Sequence, residues 1–212
     1  MSLKLPIFPL GLVVFPGEKL NLHIFEPRYK QLLNDVLLEH VTFGIPAFIE
    51  NELKPYGTEV ELLGIERVYA KGEMDVRTIG KSIFRIAQVI NPMPGKLYSG
   101  AYADYVEPIN NADPFLGKEI VTMMKQLHLT LKIEKEELKD MDEHFTSWQL
   151  GHFVGFNVQQ EYDFMTLPSE RDRQFMILQH LQKILPYATE TERLKDRIQA
   201  NGHFKDILPP TI

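Results

Sequence analysis

The sequence predicts an α+β fold whose two kinds of structure are segregated: a β-rich half over residues 1–108 with one helix, then an α-helical bundle over residues 113–212. Three observations predict it. Up to about residue 107, apolar residues come in short runs, some strictly alternating, closed by glycine and proline turns. Between Pro108 and Pro114, a stretch holding Asn110-Asn111, the periodicity changes. Beyond it, apolar residues recur at helical spacing.

The elements follow in order. Leu12 to Phe15 is a short apolar run ended by Pro16-Gly17. From Glu18 to Phe25 the chain alternates, with Leu20, Leu22 and Ile24 on one face and Asn21, His23 and Phe25 on the other. Pro27 suits the first turn of a helix whose face is drawn by Tyr29, Leu32, Leu33, Val36 and Leu37. Thr42 to Ile49 reads as a strand, and so does Thr58 to Lys71, where Gly64 marks a bulge. Lys71-Gly72 predicts a hairpin turn into Met74–Ile79, and Gly80-Lys81 a second turn into Ile83–Ile90. Tyr98 to Val106 closes the strand-rich half.

In the second half, Asp113 is placed to cap a helix opened by Pro114 and carrying Phe115, Leu116, Ile120, Met123, Met124 and Leu127. A short charged helix is expected over Glu134–Met141, and a further apolar segment over Thr146–Phe156 around Trp148. Ser169, three residues before Asp172, opens a helix through Phe175, Leu178, Leu181, Ile184 and Leu185 that continues over Thr191–Ala200.

Composition narrows the function. With 212 residues, 44% of them hydrophobic, the chain can bury one sizeable core or two small ones. A net charge of −6 argues against a protein built to neutralise a phosphate backbone. Cysteine is absent, which excludes disulfides, thiolate nucleophiles and Cys-ligated metals. Pro6, Pro9 and Gly11 interrupt the N-terminal apolar run, so no signal peptide is expected, and no segment has the length of a membrane span. The expected location is the cytoplasm, away from any membrane.

Catalytic motifs fail one by one. Gly80-Lys81-Ser82 looks like the end of a phosphate-binding loop, but Asp75 stands where the leading glycine belongs. Dinucleotide loops, nucleophile elbows and HExxH are missing, and the five serines nominate no triad. His144 and His152 lack a carboxylate placed to complete a metal set, and Glu136-Glu137 and Asp142-Glu143 belong to charged helix faces. No catalytic residue, cofactor or metal is therefore expected. Between residues 64 and 85, five basic residues (Arg67, Lys71, Arg77, Lys81, Arg85) face three acidic ones, with Tyr69 and Phe84 nearby. An RNA-binding surface is the alternative reading of this pattern, and a charge-protected sheet edge the preferred one. His23 and Phe25, on the polar side of their strand beside Phe15-Pro16, either pack as core or form an apolar contact patch.

One resemblance spans residues 3–186. Leu5-Pro6-Ile7-Phe8-Pro9-Leu10, Val13-Val14-Phe15-Pro16-Gly17 and Leu22-His23-Ile24-Phe25-Glu26-Pro27-Arg28-Tyr29 resemble the N-terminal substrate-binding domain of Lon proteases, in the form found in stand-alone members. Gly80–Ile86, Tyr102–Glu107 and Leu167-Pro168-Ser169 extend the match. The resemblance implies a PUA-like folded barrel before the bundle. It also implies a non-enzymatic module that binds unfolded or flexible polypeptide, without the ATPase and Ser-Lys peptidase of full-length Lon, either of which would be a separate partner. The candidate peptide-binding residues are Phe15, Pro16, His23 and Phe25, with Tyr29 one helical turn on.

Overall fold

A computed structural model describes the backbone of residues 3–132 and 145–202, and side chains up to residue 198. The elements are β1 (Leu3–Pro6), β2 (Lys19–Ile24), α1 (Pro27–Glu39), β3 (Phe43–Ile49), β4 (Glu52–Val68), β5 (Met74–Ile90), β6 (Gly100–Tyr105), α2 (Pro114–Leu131), a 3-10 turn (Ser147–Leu150), α3 (Val158–Met165) and α4 (Glu170–Gly202). The α+β class is as the sequence predicts. The helix expected over Glu134–Met141 lies outside the described residues.

All strand pairs are antiparallel, in the order β1-β6-β5-β4-β3, with β2 also paired to β5. Beyond β1 the chain bridges β3 in parallel, Ile7 to Gly44 and Leu10 to Ala47, which joins the two ends of the sheet. Alternation explains the core. Leu22 and Ile24 of β2 and Met74 and Val76 of β5 turn inward onto Leu32, Leu33 and Val36 of α1. Pro27 occupies the first turn of α1, where no N–H is required, and the helix ends at His40 in the left-handed region.

One expectation about the strands needs correction. Gly80-Lys81 is not a turn: β5 runs unbroken for 17 residues through it, and β4 is as long. The glycine serves close approach. The Phe15–Glu18 turn docks edge-on against β5, with Gly17 N–H donating to the Gly80 carbonyl at 2.9 Å and Gly80 N–H to the Glu18 carbonyl at 2.8 Å. A Cβ on Gly80 would collide with the Phe15 carbonyl oxygen. The expected turn at Lys71-Gly72 does form, with Gly72 at φ +72°, and the bulge predicted at Gly64 is one of three register shifts between β4 and β5.

Contacts divide the chain into two compact units, Met1–Asn111 with Thr146–Asp172, and Ala112–Phe145 with Arg173–Ile212. This differs from the division at 108–113 read from the sequence, because Thr146–Asp172 packs with the strands. The reason is Phe15. Its ring, 1% exposed, lies 5.6 Å from Trp148, 5.5 Å from Phe164 and 4.5 Å from His152. A Cβ on Gly151 would strike that ring. Buried Glu170 holds the start of the segment, accepting from the Ser147 amide at 2.7 Å and hydroxyl at 2.9 Å. In the second unit, Asp113 caps α2 by accepting from the Phe115 and Leu116 amides, at 2.9 and 3.4 Å. Ile120, Met124 and Leu127 of α2 are buried, as are Ile177, Leu178, Leu181 and Leu185 of α4. Phe115 and Phe175, expected on those inner faces, are instead exposed. No described helix is long and apolar enough to cross a membrane.

Phe15→Ala should cost about 3–5 kcal/mol, the usual range for emptying an aromatic core site. Gly80→Ala should also lower the melting temperature, since the obstructing atom is backbone. Thermal unfolding followed by circular dichroism checks both.

Candidate functional site

The candidate residues separate when placed in the fold. Phe15 is core, as above. Tyr29 is 6% exposed, its ring 3.8 Å from that of Phe8 in the α1 core, so it too is structural. Pro16 is partly exposed but sits at the turn docked on Gly80. His23 and Phe25 lie at the other end of β2, about 13 and 20 Å along it from Lys19 at ~3.3 Å per residue.

His23 and Phe25 are brought together, and Phe25 is 59% exposed. The alternation of β2 causes this: Leu22 and Ile24 take the inside, so their neighbours face out. The rings of His23 and Phe25 stack at 6.1 Å and 25°. Register puts His23 directly opposite Asp75 on β5, and His23 Nδ1 lies 2.6 Å from Asp75 Oδ1. The other oxygen, Oδ2, accepts from the Tyr69 hydroxyl at 2.6 Å. Tyr69 stands edge-on to His23 at 5.7 Å, and the Arg67 guanidinium lies over its ring at 4.7 Å.

The result is a shelf of three aromatic rings fixed around one carboxylate. Hydrogen bonds from Tyr69 and then His23 hold Asp75 below the ordinary carboxylate range, and the same Asp75 contact raises Tyr69. The carboxylate is therefore ionised at neutral pH and orients both rings. Tyr69, Arg67 and Asp75 were not singled out with Phe25 at the sequence level, because only the register of β2 on β5 joins them.

The basic side chains of 64–85 are largely committed. Arg77 pairs with Glu66 at 3.0 Å, Lys81 with Glu61 at 2.9 Å, and Arg67 stacks on Tyr69. Nothing in this arrangement favours a phosphate-tracking groove.

A second polar cluster lies around His152. Its Nε2 is 3.0 Å from Glu18 Oε2 and its Nδ1 2.7 Å from Glu161 Oε1, and Glu18 Oε2 also accepts from the Phe15 amide at 2.8 Å. Burial alone would lower the imidazole pKa, but the bonds to Glu161 and Glu18 outweigh it and raise the value to about 9. This is a clamp on the Phe15 turn. Among the described residues, no group of three or more His, Asp or Glu side chains could hold a metal ion.

A family model described as the ATP-dependent protease La (LON) substrate-binding domain matches residues 4–201. The chain belongs to the Lon substrate-binding domain family. Solved structures agree on the fold. A Lon N-terminal domain protein from Xanthomonas campestris superposes with a TM-score of 0.65 at 22% identity, covering 83% of this chain and 97% of that one. The N-terminal domain of the Mycobacterium avium complex Lon protease gives 0.65 at 13% identity, over 84% and 98%. Among curated proteins nothing matches. This Lon-family chain thus carries a substrate-binding domain.

The clamp generates a pH prediction. The His152 pKa is raised on folding from 6.5 to about 9, so its stabilisation is full below pH 6.5 and lost as pH rises through 9. The urea midpoint should fall between pH 6 and pH 9.5 in the wild type, and fall less in His152→Gln.

Proposed function

We propose that the protein is a non-enzymatic module that binds unfolded or flexible polypeptide segments on the His23–Phe25–Tyr69 shelf. The observation that carries this reading is Phe25, a large apolar ring 59% exposed at the end of a core strand and backed by rings already fixed in place. Membership of a family described by substrate binding supports it.

The mechanism is burial of apolar side chains against the shelf. Each ~100 Å² of apolar surface removed from water is worth about 2.5 kcal/mol before the cost of ordering the bound segment. The Asp75 anchor lowers the shelf's own share of that cost, because His23 and Tyr69 need not be ordered on binding. The surface chooses segments by apolar and aromatic content, not by net charge, since Arg77 and Lys81 are paired. In this reading, unfolding and cleavage of the bound polypeptide fall to a separate ATPase and protease.

Fluorescein-labelled β-casein, an unstructured chain, should bind with an affinity that changes less than about threefold between 50 and 300 mM salt, unlike a phosphate-type contact. Phe25→Asp should weaken binding more than ~tenfold while leaving the melting temperature within about 2 °C, as for a surface change. Anisotropy and thermal melts check both. Unchanged casein binding by Phe25→Asp, or steeply salt-dependent binding to a labelled RNA in its place, would sink the proposal.

A further inference from the structure

β4 is longer than its neighbour on one side. β3 pairs with it from Ile49/Glu52 to Phe43/Val60 and stops. From Glu61 to Val68, β4 is paired with β5 on one edge, and among the described residues no strand or bridge occupies the other. A row of main-chain donors and acceptors is thus left for a partner.

Three features bear on what that partner is. Leu63, Ile65 and Val68 are 48%, 39% and 64% exposed along this edge. The charges that would normally guard such an edge are drawn the other way: Glu61 and Glu66 reach across to Lys81 and Arg77 on β5. Antiparallel register carries Val41, two residues before Phe43, to the level of Leu62, and Val41 and the nearby Leu37 of α1 are also exposed.

The chemistry fits an extended polypeptide. Open main-chain groups ask for a backbone, and flanking apolar side chains ask for apolar residues at alternate positions. Register shifts after Leu62 and after Ile65 bend the edge, which suits a flexible segment and disfavours pairing with the rigid edge of a second copy.

We propose that the Glu61–Val68 edge captures an extended segment, apolar at alternate positions, by adding it to the sheet as a further strand. This rests on the polypeptide-binding reading and names its substrate class. The edge ends at Val68, one residue before Tyr69 of the shelf.

Backbone methylation tests it. The probe is a labelled ten-residue peptide alternating valine and threonine with a lysine at each end, in three forms: unmethylated, and N-methylated on each of the two alternate sets of amides. Strand addition uses the N–H groups of one set only, so one methylated peptide should bind more than ~tenfold more weakly and the other within about threefold of the parent. Hydrogen exchange should show the Glu61–Val68 amides protected by the parent peptide, and Ile65→Lys should weaken its binding. Equal binding by both methylated forms, no binding of the parent, or protection that grows with protein concentration alone (a second copy on the edge) overturns edge capture. In those cases casein binding that is lost in Phe25→Asp still upholds the shelf. Failure of casein to bind at all defeats the underlying reading instead.

Discussion

The first unit depends on the burial of Phe15. The residue lies in a turn with no regular structure, yet its side chain is enclosed by Trp148, His152 and Phe164, and its backbone is pressed against β5. Two glycines make this possible, Gly80 beneath the carbonyl and Gly151 against the ring. The buried Thr58 hydroxyl of β4 donates to the Val14 carbonyl, so neighbouring strands grip the same turn. Glu18 then ties the turn to His152 and, through it, to Glu161 of α3. Remove the ring, and the strands and the 146–172 segment lose their shared packing centre.

The same docking explains the length of β5. Along one edge it receives β2 over Met74–Ile79, then the Phe15–Glu18 turn at Gly80, then β6 from Phe84 to Ile90. A strand that serves three partners in sequence cannot turn at Gly80. Its continuity also fixes the register of β2, because Gly17 and Glu18 are pinned to Gly80 and each following pair is set by the ladder. A slip of one residue would bury His23 and expose Leu22. The shelf is therefore positioned from its far end, by a turn that takes no part in it.

This accounts for what the sequence disclosed. The period-two pattern of Leu20, Leu22 and Ile24 gave the facing of β2, but not whether His23 and Phe25 on its other face are covered, which depends on what packs over them. The helix starts at Pro27 and Asp113 followed from local chemistry that tertiary packing did not override. Gly80 was misread because turn and close approach ask for the same residue, and only the partner's position separates them. Phe15 and Tyr29 were misplaced for a related reason: an aromatic beside a turn, or in a helix's first turn, buries or projects according to what packs over it. The Asp75 anchor was illegible, since His23 and Asp75 are 52 residues apart and meet only through pairing.

The shelf and the open edge have different physical characters, and that difference bears on how a binding module meets varied partners. The shelf is rigid: Asp75 holds two rings, and Phe25 stacks on one of them. Rigid apolar surface gives affinity at low ordering cost but discriminates weakly, since any apolar side chain gains by covering it. A strand edge recognises the backbone that every polypeptide shares, and asks only that the segment be extended. Folded proteins keep such backbone in their own sheets and helices. On the proposed reading, the two surfaces together select for conformational state more than for sequence, because both require a segment whose apolar side chains and amides are available at the same time.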